Sequence, residues 1–397
     1  MITVIGMGEQ PLGEPAVMAL AGAALVVGGA RHLEAVAALL PPEHQAMAVG
    51  GDLEPVLAAL AASPGPAVAL ASGDPGFFGI VRTLAQRFGP GALRVIPGVS
   101  SVASAFARVG HSWDDAVVAS AHGRSPTTAV NLCRRFPKVA VLTSPTFGPA
   151  ALAAELGTLE RTLVVVEEIG AGSERVTTGS VAEIARRAFR DPNVVLCLDV
   201  ALNHKSTQWP PRPSPDRWAL PEEEFAHRDR MITKAEVRAL ALAWLGPGPG
   251  DLLWDVGAGS GAVAVEASRL GAAVIAIDAD PAQCDRARAN AARHGAPVEV
   301  VEGKAPAALA ELPDPDAVFV GGGGAEVAQA AAARARRAVV VALATVERVA
   351  PVMQVLAAAG LGVEGVQLSA ARLAPLGSGT RLAAENPVFL VCGRRSS

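Results

Sequence analysis

The chain has very few aromatic side chains and no tyrosine. Only 4% of its 397 residues are aromatic. The absence of Tyr excludes catalysis by a tyrosine hydroxyl, and the shortage of rings disfavours a stacking platform for nucleic-acid bases. The formal net charge is only −4, without basic stripes or acidic tails. We therefore expect neither nucleic acid nor an anionic membrane among its partners.

Cysteines and long apolar runs are also scarce. The four cysteines lie far apart and form no C-x-x-C pair, which favours buried thiols in a reducing cytosol over a zinc site or disulfides. They are Cys133, Cys197, Cys284 and Cys392. The apolar run Ala338–Val346 is too short to cross a bilayer, and the opening MITVIGMG has no signal-peptide pattern. We predict a soluble cytoplasmic protein that binds no metal, and we expect a homo-oligomer.

One segment, residues 203–230, differs in amino-acid composition from the rest of the chain. It carries five prolines among charged residues, which excludes a central strand or a regular helix. We interpret residues 203–226 as a linker in which Trp209 and Trp218 pack on a neighbouring surface. A chain of this length has room for two or three domains. The sequence therefore predicts one domain at residues 1–202 and another at residues 227–397.

Short apolar runs alternate with helical patterns on both sides of the linker, which is typical of α/β domains. In the first half we predict strands at Thr3–Ile5, Leu25–Val27, Val68–Ala71, Leu93–Ile96, Ala116–Ser120, Lys138–Leu142, Leu163–Glu167 and Asn193–Leu198. In the second half we predict a helix at Lys234–Leu245 and strands at Leu252–Asp255, Ala273–Ile277, Val298–Val301, Ala317–Val320, Ala338–Ala342, Gly362–Gln367 and Val388–Cys392.

The most informative stretch of the second half is Trp254–Pro281, WDVGAGSGAVAVEASRLGAAVIAIDADP. An apolar run ends in Asp255, glycines follow at alternate positions, and a second apolar run ends in Asp278. The glycines permit a tight turn and close approach of a ligand, and the following helix offers free N–H groups. An acid at the second strand end can accept both ribose hydroxyls of a nucleoside. The pattern predicts a nucleoside-cofactor site at Gly257, Ala258, Gly259, Ser260 and Gly261 with the two acids.

The identity of that cofactor depends on the spacing of the motif. GAGSGA also satisfies the loose fingerprint G-x-G-x-x-G/A of dinucleotide-binding proteins, so an NAD-dependent oxidoreductase is an alternative. The full spacing D-x-G-x-G-x-G favours S-adenosylmethionine (SAM), because the leading acid suits an ammonium better than a pyrophosphate. A third strand end, VEVVEGKA at Val298–Ala305, is placed to flank the adenine. A glycine turn with only a packing role is the remaining interpretation.

The first half carries three loops that follow predicted strands. They are Ser72–Gly76 (SGDPG), Pro97–Ser101 (PGVSS) and Ser120–Arg124 (SAHGR). Open α/β sheets bind ligands at the carboxyl ends of their strands. Each loop alone fits ordinary turn chemistry, but three on one sheet edge favour a ligand site. The backbone of Gly73, Asp74 and Pro75 would hold a small ligand, and Ser100 and Ser101 would cap a helix or bind an anion.

The order of these loops resembles the tetrapyrrole (corrin) methylases over about residues 1–200. The sequence reads G-x-G, then S-G-D-P, P-G-V-S-S and H-G-R, and the H-G-R element with Glu167–Gly170 most resembles the branch acting on precorrin-7. This resemblance implies a two-lobed class III methyltransferase domain that binds SAM between its lobes, with Gly98 among the contacts. The first loop departs from the family pattern G-x-G-P-G, because Glu9 and Gln10 precede Pro11.

Residues 225–395 resemble the corrin-pathway methyltransferases that also decarboxylate. The segment Met231–Arg238 (MITKAEVR) is similar to that family's first helix, and Glu302–Pro306 (EGKAP) is similar to its E-G-D-A-P element, with Lys304 in place of Asp. The resemblance implies a Rossmann-like class I SAM-dependent domain in which Thr233, Gly303 and Ala305 contact the cofactor. Gly321–Gly324 would lie near the substrate.

A fusion of the two modules resembles the precorrin-6Y methyltransferases (decarboxylating) of the aerobic cobalamin pathway. The resemblance implies that precorrin-6B is methylated at carbons 5 and 15 and loses carbon dioxide from its ring C acetate, giving precorrin-8X with two SAM consumed at two sites. The substrate carries many carboxylates, so we expect Arg124, Arg372 and Arg381 to bind them and His122 to act as an acid–base group. The competing interpretations are solvated arginines, a histidine that only donates a hydrogen bond, and a non-catalytic SAM sensor.

Overall fold

The computed structural model describes residues 1–121, 125–200, 218–228 and 232–395. Its contacts divide the chain into two compact units. Unit 1 comprises Met1–Arg124 and Lys138–Lys205, and unit 2 comprises Ser125–Pro137 and Ser206–Ser397. The boundary between the units therefore lies in the region of the proline-rich segment, with one short stretch of the first half assigned to unit 2.

Unit 1 begins with a parallel five-stranded sheet in the order β3-β2-β4-β1-β5. Its strands are β1 (Ile2–Met7), β2 (Leu25–Gly28), β3 (Gln45–Ala48), β4 (Ala67–Ser72) and β5 (Leu93–Ile96). Its helices are α1 (Glu14–Ala21), α2 (Ala30–Val36), α3 (Glu54–Ala62), α4 (Val81–Phe88) and α5 (Ser101–Val109). All strands are parallel, so the loops that follow β1, β4 and β5 meet at one edge of the sheet.

The second sheet of unit 1 is mixed and has the order β6-β7-β10-β8-β9. Its strands are β6 (Val117–Ser120), β7 (Lys138–Leu142), β8 (Arg161–Glu167), β9 (Arg175–Ser180) and β10 (Asn193–Asp199), and its helices are α7 (Pro149–Leu156) and α8 (Val181–Ile184). Only β6 and β7 pair in parallel; the other three ladders are antiparallel. Two sheets give unit 1 the two-lobed architecture that the resemblance implied.

Unit 2 is built on a seven-stranded sheet in the order β13-β12-β11-β14-β15-β19-β16. The strands are β11 (Leu252–Val256), β12 (Ala273–Asp278), β13 (Glu299–Glu302), β14 (Ala317–Val320), β15 (Ala338–Leu343), β16 (Gly362–Leu368) and β19 (Val388–Arg394). The last of these is antiparallel to both its neighbours. The strands of the dinucleotide-binding fold follow the order 3-2-1-4-5-6. Unit 2 departs from this order, because the antiparallel β19 lies between β15 and the edge strand β16.

Helices cover both faces of this sheet. They are α9 (Ala235–Leu245), α10 (Ala262–Arg269), α11 (Pro281–Arg293), α12 (Gly324–Arg334) and α13 (Val349–Ala358), with α6 (Pro126–Arg135) also in unit 2. Side chains of a strand alternate between faces, so Trp254 lies in one buried cluster and Leu253 in another. A separate hairpin, β17 (Ala371–Leu376) with β18 (Gly379–Ala384), follows β16. Short 3-10 turns occur at Ala37–Leu39, Pro90–Ala92, Glu222–Glu224, Ala307–Leu309 and Val346–Arg348.

The described end of the proline-rich segment packs differently from the sequence prediction. Trp218 is 46% exposed, whereas Leu220 and Phe225 are buried in a cluster of unit 2. Trp209 lies outside the described residues. All four cysteines are buried, and none of them belongs to a disulfide. Within the described ranges, every helix is too short or too polar to span a membrane, and side chains form no metal-binding cluster of His, Cys, Asp and Glu.

Candidate functional site

The glycine turn after β11 adopts the conformation that its sequence predicted. Gly257, Gly259 and Gly261 all have positive φ values, of 71°, 56° and 71°, a region that residues with a Cβ rarely adopt. A Cβ on Gly261 would lie 2.9 Å from the Cβ of Ala287, and a Cβ on Gly257 would lie 3.1 Å from the backbone N of Gly322. A Cβ on Gly259 would have no neighbouring atom within 4 Å. The outer glycines serve packing, and the middle one leaves an open face for a ligand.

Asp278, at the end of β12, lies directly against this turn. Its Oδ2 accepts a hydrogen bond from the backbone N–H of Gly259 at 2.8 Å, and its Oδ1 accepts one from Asp280 at 2.9 Å. Its backbone carbonyl accepts from the N–H of Gly303 at 2.8 Å. The ends of β11, β12 and β13 therefore meet at Asp278, which is half-buried. Its carboxylate keeps lone pairs for further donors.

Asp255 is the most perturbed acid of the site. It is 1% exposed, its Oδ2 accepts from the N–H of Ala264 at 2.9 Å, and its Oδ1 has no partner among the described residues. Burial, with the nearby negative charge of Asp278, raises the pKa of Asp255 to about 7 although the Ala264 bond opposes the shift. A buried carboxylate oxygen without a partner is costly, and a cationic ligand group would satisfy it.

The remaining predicted contacts of unit 2 lie in the turn itself, after β13 and just before α9. Ser260 is 2% exposed, and Ala258 and Ala305 are half-buried against the two core clusters. The half-buried Thr233 accepts a hydrogen bond at its carbonyl from Arg238 at 2.6 Å. A Cβ on Gly303 would lie 2.7 Å from the Cβ of Ala308, so this glycine is required by packing. Lys304 is exposed.

The glycine-rich loop Gly321–Gly324 follows the adjacent strand β14. The N–H of Gly321 donates to the carbonyl of Val256 at 2.7 Å, which fixes the loop beside the glycine turn. A cavity of about 490 Å³ opens at Gly323, Gly324, Ala325, Glu347, Arg348 and Pro351. Arg348 was not among the arginines that the sequence singled out, because no local motif surrounds it.

The two arginines predicted for this half lie on the β17–β18 hairpin. Arg372 is surrounded by carboxylates, at 2.6 Å from Glu236, 3.4 Å from Glu222 and 3.6 Å from Glu385. Arg381 is exposed on β18. A substrate carboxylate at Arg372 would therefore compete with three partners, and the binding roles of both arginines stay predictions.

Three loops of unit 1 converge where the parallel strands end. A Cβ on Gly98 would lie 2.6 Å from the carbonyl oxygen of Gly73 and 2.9 Å from that of Gly6. Gly73 has φ 60°, and its N–H donates to the carbonyl of Met7 at 2.6 Å. The backbones of the loops after β1, β4 and β5 pack directly on each other here. The prediction of one shared sheet edge holds for Ser72–Gly76 and Pro97–Ser101 but is wrong for the third loop, because Ser120 ends β6, a strand of the second sheet.

The side chains of these loops serve local structure. Ser100 caps α5, accepting from the N–H of Ala103 at 3.1 Å, and Ser101 is the first residue of the helix. Asp74 accepts from the N–H of Gly76 at 2.8 Å, and Pro75 is buried. The predicted capping role of Ser100 is confirmed. A ligand-binding role for these residues stays a prediction.

A cavity of about 660 Å³ lies beside these loops. Its lining includes Gly6, Gly8, Gly98 and Arg108. Arg108 forms ion pairs with Glu9 at 2.6 Å and Glu174 at 2.5 Å, and these two carboxylates hold the pKa of the Arg108 guanidinium above its ordinary value.

Glu9 is the residue by which the first loop departs from the family pattern, so the departure creates an ion pair at the cavity. Glu9 and Arg108 are 99 positions apart in the chain, so no short sequence motif could indicate their contact. His122 and Arg124, the other predicted residues of this half, lie outside the described residues.

Comparison with known proteins gives the family. Residues 223–393 match the family described as a precorrin methyltransferase domain, and residues 2–185 match the tetrapyrrole (corrin/porphyrin) methylases. The chain is 40% identical over 336 residues to a precorrin-6Y C(5,15)-methyltransferase (decarboxylating) of a Sinorhizobium species, covering 82% of this chain and 79% of the relative. The chain belongs to the precorrin-6Y C(5,15)-methyltransferase (decarboxylating) family.

Two shorter relatives are named for a single methylation. A "Probable cobalt-precorrin-6B C(15)-methyltransferase (decarboxylating)" of Pyrobaculum calidifontis is 38% identical, covering 43% of this chain and 93% of the relative. A cobalt-precorrin-7 C(5)-methyltransferase of Salmonella typhimurium is 34% identical, covering 50% of this chain and 99% of the relative.

Membership in this family makes the chain a SAM-dependent methyltransferase of cobalamin biosynthesis, with the two-module α/β fold that the sequence predicted. The alternative of an NAD-dependent oxidoreductase is not supported. Both family matches are to methyltransferases, and the antiparallel β19 departs from the dinucleotide-binding sheet order. A non-catalytic SAM sensor is likewise unsupported, because the relatives are named as enzymes.

Proposed function

We propose that this methyltransferase adds two methyl groups to precorrin-6B, at carbons 5 and 15, and removes carbon dioxide from the ring C acetate to give precorrin-8X. The observation that carries the proposal is the meeting of Gly259, Asp278 and Asp255 at the strand ends of unit 2. An open glycine face, a strand-end carboxylate and a buried carboxylate oxygen without a partner fit the ribose and ammonium groups of SAM.

SAM would supply an electrophilic methyl group at this site. Asp278 would accept the ribose hydroxyls with the lone pairs that Gly259 and Asp280 leave free. Asp255 would accept from the ammonium through Oδ1. We assign further contacts to Gly257, Ala258, Ser260 and Gly261 of the turn, to Gly303 and Ala305 after β13, and to Thr233 just before α9.

A second SAM site is proposed in unit 1. We assign its contacts to the loops Gly73–Pro75 and Gly98–Ser101. Gly98 lines a cavity of about 660 Å³, and a Cβ on it would lie 2.6 Å from the carbonyl oxygen of Gly73. Backbone groups recognise a ligand without needing particular side chains, which suits the close packing of Gly6, Gly73 and Gly98.

We propose that the two reactions are divided between the modules. Relatives named for one methylation each cover 43% and 50% of this chain. Methylation at carbon 15 with decarboxylation is assigned to residues 227–397, and methylation at carbon 5 to residues 1–202, with residues 203–226 between them. We further propose that the protein acts as a homo-oligomer in the cytoplasm and that it binds no nucleic acid.

The protein's contribution to either transfer is binding and alignment. Holding a carbon nucleophile against a methyl donor removes much of the entropic barrier and needs no metal or covalent enzyme intermediate. Cationic side chains would bind the peripheral carboxylates, with Arg124 assigned to the first site and Arg372 and Arg381 to the second. His122 is assigned modest acid–base help.

The full chain incubated with precorrin-6B and methyl-labelled SAM tests the function. We expect two labelled methyl groups in the product and one carbon dioxide released for each macrocycle. Incorporation of a single methyl, or two methyls without carbon dioxide, would contradict the assigned reaction.

A further inference from the structure

A short strap, defined as residues Ala219–Ala226, crosses unit 2 just before α9. Its Leu220 and Phe225 are 6% and 3% exposed and pack with Ala262 and Val265 of α10. These apolar contacts hold the strap to the helix that begins at the glycine turn. They do not by themselves reach the turn.

Asn290 of α11 connects the strap to the glycine turn. Its Oδ1 accepts from the N–H of Ala226 at 2.8 Å, and its Nδ2 donates to the carbonyl of Ala226 at 2.9 Å and to that of Ser260 at 2.8 Å. The residue is 1% exposed. Both amide protons and the amide oxygen are therefore used in a buried environment, where an unsatisfied group is costly.

The carbonyl of Ser260 is the part of the turn that most needs such a contact. It belongs to the peptide between Ser260 and Gly261, and the residues on both sides of Ser260 are glycines with positive φ. Glycine restrains its backbone weakly, so this peptide plane has little intrinsic preference. The N–H of this peptide belongs to Gly261 and donates to the carbonyl of Ala258 at 2.8 Å, which closes the turn. A rotated peptide would lose both bonds.

The same face of α11 also shapes the turn sterically. Ala287, one helical turn before Asn290, is the residue that a Cβ on Gly261 would meet at 2.9 Å. Ala287 and Asn290 are three positions apart, so they lie on one side of the helix. α11 thus fixes the turn by contact at Gly261 and by a hydrogen bond at Ser260.

We propose that Asn290 is a positioning residue for the SAM site of unit 2, acting through the carbonyl of Ser260. The inference rests on the proposed cofactor site at the glycine turn. Loss of the two amide donors loosens the turn, weakens SAM binding at this site and leaves the site of unit 1 unaffected.

Asn290→Asp in the full chain is the informative variant, because it keeps the size of the side chain and replaces both donors with acceptors. Ser268→Ala is the matched control. Ser268 is a fully buried residue near the C-terminal end of α10, whereas the glycine turn precedes the N-terminal end of that helix. Its hydroxyl donates to the carbonyl of Pro297 at 3.0 Å. Both variants are expected to lower the unfolding temperature, so stability alone does not distinguish them.

The distinguishing measurement is the KM for SAM in carbon dioxide release, with methylation at carbon 5 followed in the same chain. We expect Asn290→Asp to raise this KM about 10-fold, with a smaller change in kcat, and Ser268→Ala to leave it unchanged. An unchanged KM in Asn290→Asp, or an equal rise in Ser268→Ala, overturns the positioning role. If Asp278→Ala also leaves the KM unchanged, the proposed cofactor site itself is wrong.

Discussion

Asp255 links the charge state of the site to pH. Its folded-state pKa of about 7 exceeds the ordinary 3.8, so between these values the folded protein holds a proton that the unfolded chain has lost. The ligand-free protein should therefore lose this group's contribution to stability as pH rises from about 4 to about 7. Above pH 7 the carboxylate is charged, and an ammonium ligand then gains a partner.

We accordingly expect the affinity of unit 2 for S-adenosylhomocysteine to rise between pH 6 and pH 8. Titration calorimetry on the full chain across this range measures the effect. Asp255→Asn, which mimics the protonated acid, should bind weakly and lose the pH dependence. A pH profile that persists in the Asn variant would assign the titration to another group.

Asp278→Ala should weaken the same site, because the ribose hydroxyls lose a charged acceptor. Hydrogen bonds to charged groups contribute about 1.5–3 kcal/mol, which corresponds to about 10- to 150-fold in Kd. Asp285→Ala is the control, since its side chain is 79% exposed on α11 and forms an ion pair with Arg288 of the same helix. Equal affinities in the two variants would count against Asp278 as the ribose acceptor.

At the scale of elements, most of the predicted strands contain a buried apolar run, although the predicted edge strands β5, β13 and β16 contain no buried residue. Every strand that the sequence missed lies at a sheet edge or in the exposed hairpin, namely β3, β9, β17 and β18. In β3 no residue is buried, and β9 reads RVTTGS with exposed and half-buried positions alternating. Backbone pairing with one neighbour maintains such strands without a hydrophobic signal.

The glycine turn was predictable for a different reason. Its conformation is determined within a few residues, and glycines at alternate positions have few other uses. The contacts of Glu9 with Arg108 and of Asn290 with Ser260 depend on residues brought together by the fold. No pattern along the chain marks a helical asparagine such as Asn290 as functional, so these parts of the sites could not be predicted.

Gly98→Val tests whether the converging loops of unit 1 form the second cofactor site. The added Cβ would lie within 3 Å of the carbonyls of Gly73 and Gly6, so the loops must separate. We expect binding of S-adenosylhomocysteine to fall from two equivalents to one, with loss of methylation at carbon 5 and unchanged carbon dioxide release. Gly91→Ala is the control, because nothing lies within 4 Å of its Cβ. One equivalent in the unmutated protein would refute the second site.

At the scale of the whole molecule, the assignment of α6 to unit 2 qualifies the idea of two independent enzymes. Within unit 2, Nδ2 of Asn131 donates to the carbonyl of Gly250 at 3.0 Å, and Nε of Arg135 donates to the carbonyl of Ser268 at 2.6 Å. Burial lowers the pKa of the Arg135 guanidinium to about 10. A fragment that begins after the proline-rich segment lacks this helix.

A chain divided at Ser214 should still give two active fragments, because each module contains its own sheets and buried core. The C-terminal fragment should methylate precorrin-6B once and release carbon dioxide. The N-terminal fragment should leave precorrin-6B unchanged and methylate the product of the other fragment.

Loss of the two α6 hydrogen bonds should lower the unfolding free energy of the C-terminal fragment by about 1–3 kcal/mol. Urea denaturation measures this difference, with the same fragment supplied with residues 125–137 as a peptide for comparison. A folded C-terminal fragment that neither adds a methyl nor releases carbon dioxide would contradict the division of the two reactions, whereas recovery of activity only with the peptide would make α6 a functional part of unit 2.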